Sequence, residues 1–331
     1  MARWYRAMEV EMQTHEFRRL MGLLETLSAE QRAQLQLQLT AGGGARGVAT
    51  IIEGRMARQP CCPRCGASQV VRNGHADGLQ RYKCRPCCRT FNALTETPLA
   101  RLRHREKWLA QASVLDAGLS VRRAAVQIGV HKTTAFRWRH RFLMLASTVR
   151  ATALAGVAEA DETYTLRSYK GQPRRLRAEQ SRAPRRRGGK AAKRGLSDEQ
   201  VPILVLRDRS GQTADFVLER GDARHITPAL SHALAEDAIL CTDASAALAA
   251  AARARDIEHH AVNTARGERR RGPWHIQNVN AYHSRYKTWM RRFHGIATSY
   301  LENYLGWFRA LDRNAQSGAQ PPSLLALAIG A

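Results

Sequence analysis

Acidic residues are scarce in this chain, no apolar run is long, and cysteine is nearly absent outside one short stretch. The 331 residues include 28 Asp or Glu against 53 Lys or Arg, a formal charge of +25. Such an excess makes a polyanion the default partner on electrostatic grounds, which an ordinary small-molecule enzyme would not need. The longest apolar run, residues 323–331, is too short to span a bilayer, so no membrane partner is expected. The opening MARWYRAMEVEMQTHEFRRL is charged throughout and lacks an apolar centre, so no secretory signal is read and a cytoplasmic location is expected. Six of the seven cysteines fall between Cys61 and Cys88, and Cys241 stands alone. In a reducing compartment that clustering favours a metal over disulfides.

What is present is globular in character, with 44% hydrophobic and 24% charged residues, and too long for one compact domain. Residues 1–50 read as a helical segment. In it Phe17, Leu20, Leu24 and Leu27 recur at helical spacing, Ser28 with Gln31 opens a second helix, and the glycines of AGGGARG close it. Residues 55–98 hold the cysteines among short strands, and 101–150 read as three helices. Residues 151–315 alternate strands and helices, with an antiparallel meander expected before a parallel strand, and 316–331 form a tail. The expected class is multi-domain α+β. Within the last domain, residues 167–195 contain twelve Lys or Arg and one acid, Glu179. A block so dense in one charge repels itself and is expected to order on a phosphate backbone, with Arg185, Arg186 and Arg187 as its densest run.

Cys62-Pro-Arg-Cys65 and Cys84-Arg-Pro-Cys87 are two CxxC pairs eighteen residues apart, within zinc-ribbon spacing. Four thiolates from two tight turns surround one Zn²⁺ with no open position, so the site is expected to be structural. Cys61 and Cys88 adjoin the pairs and leave the register ambiguous; the CxxC register is preferred because both loops then match. Downstream, SVRRAAVQIGVHKTTAFRWRHRFL has the form of a helix-turn-helix. Ala125 allows close helix approach, Gly129 supplies the turn, and Val130, Thr134 and Trp138 form the packed face. His131, Lys132, Thr133 and Arg137 then lie at the start of the second helix, the end that enters a major groove. Arg139, His140 and Arg141 are expected to extend the positive surface towards phosphates.

Against this basic background, acids at strand ends carry information. In GVAEADETYTL, Glu159, Asp161 and Thr163 share one strand face and Glu162 points the other way. In AILCTDAS, Asp243 follows an apolar run at the C-terminal end of a strand, where crevices form. Carboxylates brought together need a cation to stay ionised, and Mg²⁺, a hard ion with oxygen ligands, fits. A third oxygen is expected from HIQNVNAYHSRYKTWMRRF, where Asn280, His283, Ser284 and Lys287 share a helix face while Asn278 points away from Asn280.

CPRC with RYKCRPCCRTF, then EADETYTL, LCTDAS and HIQNVNAYHSRYKTWMRRFHGIATSYLENYLGWF, in this order, resemble the insertion-sequence transposases that have a zinc ribbon, a helix-turn-helix and an acidic RNase H-like nuclease domain. The resemblance covers roughly residues 55–312. It implies two catalytic ions, Mg²⁺ or Mn²⁺, held by Asp161, Asp243 and the third-position residue, with Asp161 bridging. It also implies that Lys287 matches a lysine seven positions after the third ligand, and Lys287 with His275 is expected to orient phosphates. Most of the wider superfamily has Glu at the third position; this chain has Asn280, as does one similar branch of insertion sequences. The implied partners are double-stranded DNA, as terminal inverted repeats and target, and a second copy of the chain in a dimer or higher assembly. The implied location is a bacterial cytoplasm, on the nucleoid when DNA is bound. Two rival readings share these features: a DNA-binding regulator whose nuclease domain is a relic, and a metal-dependent nuclease without strand transfer.

Overall fold

The computed structural model describes residues 13–28, 47–57, 60–172, 197–317 and 324–330, with single positions at 174, 178 and 191. The second N-terminal helix and the run Arg185 to Arg187 lie outside these residues.

The first expected helix is present as α1 (Thr14–Glu25). A helix that the glycine-rich AGGGARG concealed follows at 47–57 (α2). Val48, Ile52 and Met56 recur every four residues along it and are buried, so it belongs to the core rather than to a lead-in. Its Glu53 accepts from the Gln80 amide at 2.9 Å, and its Arg55 donates to the Ala93 carbonyl at 2.7 Å. These bonds tie α2 to the three-stranded antiparallel sheet of β1 (Val70–Ala76), β2 (Leu79–Cys84) and β3 (Thr90–Phe91).

Three helices come next: α3 (Trp108–Asp116), α4 (Val121–Ile128) and α5 (Lys132–Leu143). Ser120 caps α4 by accepting from the Arg123 amide. Gly129 closes α4 with φ 68°, a left-handed conformation that costs glycine least.

The second half is a mixed five-stranded sheet in the order β6-β5-β4-β7-β8. The strands are β4 (Val157–Leu166), β5 (Gln200–Asp208), β6 (Thr213–Val217), β7 (Ile239–Thr242) and β8 (His259–Ala261). β4, β5 and β6 form the expected antiparallel meander, and β7 and β8 add in parallel. The period-2 alternation of β5 divides the core. Leu204 and Leu206 pack with α6 (Ala223–Ala233) and α7 (Ala246–Ala254), while Ile203 and Val205 face α8 (Gln277–Met290) and α9 (Leu301–Ser317).

The expected C-terminal tail is corrected in part: within it, α10 (Leu324–Ile329) buries Leu324, Leu325, Ala328 and Ile329 against α3 and α5. The same apolar cluster runs from α5 into α8 and α9, so the helical segment and the sheet share one core. Close backbone contact holds this junction. A Cβ on Gly306 of α9 would come within 2.2 Å of the Ala146 carbonyl oxygen. Arg309 donates to the carbonyls of Ala146 and Val149 and pairs with buried Asp215 on β6.

Candidate active site and metal centres

The two cysteine knuckles are built alike. The Cys62 amide donates to the Ala67 carbonyl at 2.8 Å, and the Cys84 amide to the Arg89 carbonyl at 3.0 Å. The residue after each CxxC is left-handed, Gly66 with φ 72° and Cys88 with φ 56°. This equivalence resolves the register, because Cys88 is the turn residue of its knuckle, as Gly66 is of the other. The sulfurs of Cys62, Cys65, Cys84 and Cys87 all lie within 4.8 Å of one another. The Cys62–Cys87 and Cys65–Cys84 separations are 3.7 and 3.6 Å. A tetrahedral Zn²⁺ with Zn–S bonds of about 2.3 Å needs sulfurs roughly 3.8 Å apart, so the four thiols fit that ion.

On α5, His131, Lys132, Thr133 and Arg137 are all exposed, and the His131 ring caps the helix by accepting from the Thr133 amide at 3.3 Å. Trp138 is buried and Val130 and Thr134 are half-buried, as a packed face requires. The expectation for the next three residues is corrected. Arg139 is 1% exposed, donates to the Leu119 carbonyl at 2.6 Å and the Tyr304 hydroxyl at 3.3 Å, and lies over the Trp307 ring. His140 is buried in a stack on Tyr300, and burial, followed by the Arg139 charge, pushes its pKa down to about 4. Arg141 donates to the carbonyls of Pro98 and Ala100. The physical reason is periodicity: Ala135, Trp138, Arg139 and Phe142 fall on one stripe, and α9 covers it.

Register brings the acids together. β4 pairs with β7 only from Val157↔Ile239 to Ala160↔Thr242. Asp161 is the first β4 residue beyond that pairing and Asp243 the first residue past β7, so the two emerge side by side. Ala244 turns the chain with φ 71°, and the Asp243 carboxylate accepts from the Ser245 amide at 3.0 Å at the start of α7. Carboxylate oxygens of Asp161, Glu162 and Asp243 lie within 4.8 Å of one another. Burial first, then the charges of Asp161 and Asp243, push Glu162 up to about 7. Burial and then Asp161 also raise Asp243. Three crowded, part-buried carboxylates suit a divalent cation with oxygen ligands.

Helix α8 is docked against this edge by a carboxylate two residues before Asp161. Buried Glu159 accepts from the amides of Asn278 and Val279 at 2.7 and 3.0 Å, anchoring the N-terminus of α8, where negative charge is favoured. The Asn278 side chain donates to the same group at 3.0 Å, so it is occupied there. Arg209 and His275 also pair with Glu159, at 2.9 and 3.2 Å. His275 is therefore tied to this anchor, which takes it away from the free phosphate-binding role expected of it. Farther along α8, Asn280 and Lys287 are exposed, and between them buried His283 sets its Nδ1 3.6 Å from Asp161. Sequence reasoning passed over Glu162, the anchor formed by Glu159, and any role for His283. Glu268 lies outside the acidic cluster; it accepts from the Asn263 amide at 2.8 Å.

Two stretches of the chain match known domain families. Residues 153–309, which span Asp161, Asp243, Asn280 and Lys287, match the family model described as the ISXO2-like transposase domain. This stretch of the chain is similar to ISXO2-like transposase domains. Residues 101–144 match a homeodomain-like domain, so a DNA-binding helix-turn-helix precedes the transposase domain. A relative from Halobacterium salinarum, described as an uncharacterized protein in transposable element ISH50, is 27% identical over 252 residues, covering 75% of this chain and 83% of its own. Among solved structures, the crystal structure of a pre-cleavage Mos1 transpososome aligns over 68% of this chain and 74% of its own at 12% identity. Its TM-score of 0.25 is too low to inform the fold. Among the described residues no helix is long and apolar enough to cross a membrane.

Proposed function

We propose that this protein is the DNA transposase of a bacterial insertion sequence, cutting the element's ends and joining them to target DNA at an RNase H-like metal site. The observation that carries the reading is the convergence of Asp161 and Asp243, 82 positions apart, at the one place where β4 outruns β7. Asp161, Asp243 and Asn280 would hold two divalent ions, Mg²⁺ or Mn²⁺. Such ions, when bound, activate the attacking oxygen and stabilise the leaving one during in-line displacement at phosphorus. The Asp161 carboxylate lies within 4.8 Å of that of Asp243 and 3.6 Å from His283 Nδ1. Lys287, exposed one turn beyond His283, offers its ammonium to the DNA phosphates.

The start of α5 would read the terminal repeats through His131, Lys132, Thr133 and Arg137. The cysteine knuckles would hold one structural Zn²⁺, and elemental analysis finding no zinc in metal-replete protein would remove it. The 167–195 block, with Arg185, Arg186 and Arg187, would grip the backbone without sequence preference. Two ends must be synapsed, so at least a dimer is proposed.

The test is purified protein with paired-end DNA and Mg²⁺. Joined products are expected. Nicking without joining would mark a nuclease, and binding without nicking a regulator. Asp161→Ala should lower cleavage by about a thousandfold, several kcal/mol of transition-state stabilisation, and leave DNA affinity unchanged. Undiminished cleavage would take Asp161 out of the site.

A further inference from the structure

The third position of the site is an amide: Asn280 can offer a carbonyl oxygen to a cation but no negative charge. We propose that Glu162 is a fourth ligand of the divalent-cation site and restores the third negative charge that Asn280 leaves out. This rests on the two-strand metal site described above and adds to it a residue that strand alternation assigns elsewhere.

Geometry carries the proposal. The Glu162 carboxylate shares the 4.8 Å cluster with Asp161 and Asp243. Alternation would send it to the opposite face of the sheet, but it sits on the stretch of β4, residues 161–166, that has no strand beside it on the β7 side. There the long Glu side chain can turn around the open edge towards Asp243, while the shorter Asp161 reaches the same space from the α8 face.

The electrostatic surroundings point the same way. Elsewhere among the described residues, three of the four buried carboxylates are neutralised by arginine, and the fourth, Asp208, accepts from the Ser210 hydroxyl and the Gln212 amide instead. Glu159 pairs with Arg209, Asp215 with Arg309, and Asp312 with both Arg207 and Arg285. In a protein with 53 Lys and Arg, no arginine or lysine among the described residues pairs with Asp161, Glu162 or Asp243. A second feature faces the cluster from α8. His283 is 6% exposed, turns Nδ1 towards Asp161 at 3.6 Å, and has no hydrogen-bond partner for its Nε2 among the described residues. The side chain that faces Asp161 from α8 is thus an imidazole rather than a guanidinium, which leaves the space beside the carboxylates without a fixed cation.

Glu162→Gln keeps the shape of the side chain and removes its charge. Mn²⁺ titrated calorimetrically into full-length zinc-loaded protein, without DNA, should bind the variant at least about tenfold more weakly than the parent. Thermal unfolding and end-DNA affinity should stay as in the parent. Adding Asn280→Asp to Glu162→Gln should recover most of the lost affinity, because the charge count is then restored. Mn²⁺ binding by Glu162→Gln within twofold of the parent, with Asp161→Ala losing it, would overturn the role of Glu162 and leave the two-strand site standing. Retention of Mn²⁺ by Asp161→Ala would overturn the site itself, and the proposal with it.

Discussion

The first half of α5 carries His131, Lys132, Thr133 and Arg137 into solvent, whereas its second half carries Arg139 and His140 into the core shared with α9. Both halves are basic, and only Trp138 separates Arg137 from Arg139. What differs is the neighbour. The start of α5 is exposed among the described residues. The end of α5 is covered by Tyr300, which stacks on His140, and by Tyr304 and Trp307, which hold Arg139 by a hydrogen bond and by ring contact. Charge alone therefore does not tell the exposed half of α5 from the buried one. Solvent access does, and it is set by a helix more than 160 positions away in the chain.

Substitutions can break that contrast, and the largest effect belongs to Arg139. Arg139→Ala opens a cavity and strips partners from the Leu119 carbonyl and the Tyr304 hydroxyl, so a loss of about 3 kcal/mol is expected in denaturant unfolding. Stability unchanged after Arg139→Ala would mean that the buried half behaves like the exposed one.

His140 sharpens the contrast through pH. Its folded pKa, about 4, lies below the ordinary value of 6.5. The unfolded chain therefore takes up a proton first as pH falls. The stabilisation is complete above about pH 6.5 and is lost between there and about pH 4, by an amount on the order of 3 kcal/mol. Comparing the pH dependence of unfolding in the parent and in His140→Gln checks this, and parallel curves would contradict it.

Arg137→Ala should show the smallest effect and the opposite kind. End-DNA affinity falls by about 1–3 kcal/mol with unfolding unaltered, read by fluorescence anisotropy across salt concentrations. A variant that unfolds more easily but binds as tightly would exchange the roles of the two halves.

How much was legible depended on how local each feature is. The turns of the CxxC pairs, the Gly129 turn and the β5–β6 hairpin are written in residues that lie near one another in sequence, and the structure has them where the spacing placed them. The helix at 47–57 was hidden because AGGGARG reads as an ending, although Val48, Ile52 and Met56 carried the helical period in plain view. Arg139 was misread for a related reason, since it stands on the same stripe as Ala135, Trp138 and Phe142. Glu162 was assigned away from the acids because alternation fixes the direction in which a side chain leaves the backbone, not where a long side chain ends beside an open edge, and β7 stops short of Glu162.

The amino-acid order alone determined which chemistry is available: four thiols in two matched turns, a helix-turn-helix with exposed cations at its second start, and acids placed where strands end. Those follow from backbone geometry over a few residues, which is the range at which sequence acts directly. Only the tertiary structure decided which of these groups meet. The length of β7 against β4 put Glu162 beside Asp161 and Asp243, the buried Glu159 fixed α8 against them, and α9 took Arg139 and His140 out of solvent. Each is a long-range contact whose free energy comes from burial and pairing across the whole core, and no local window of the chain contains both partners.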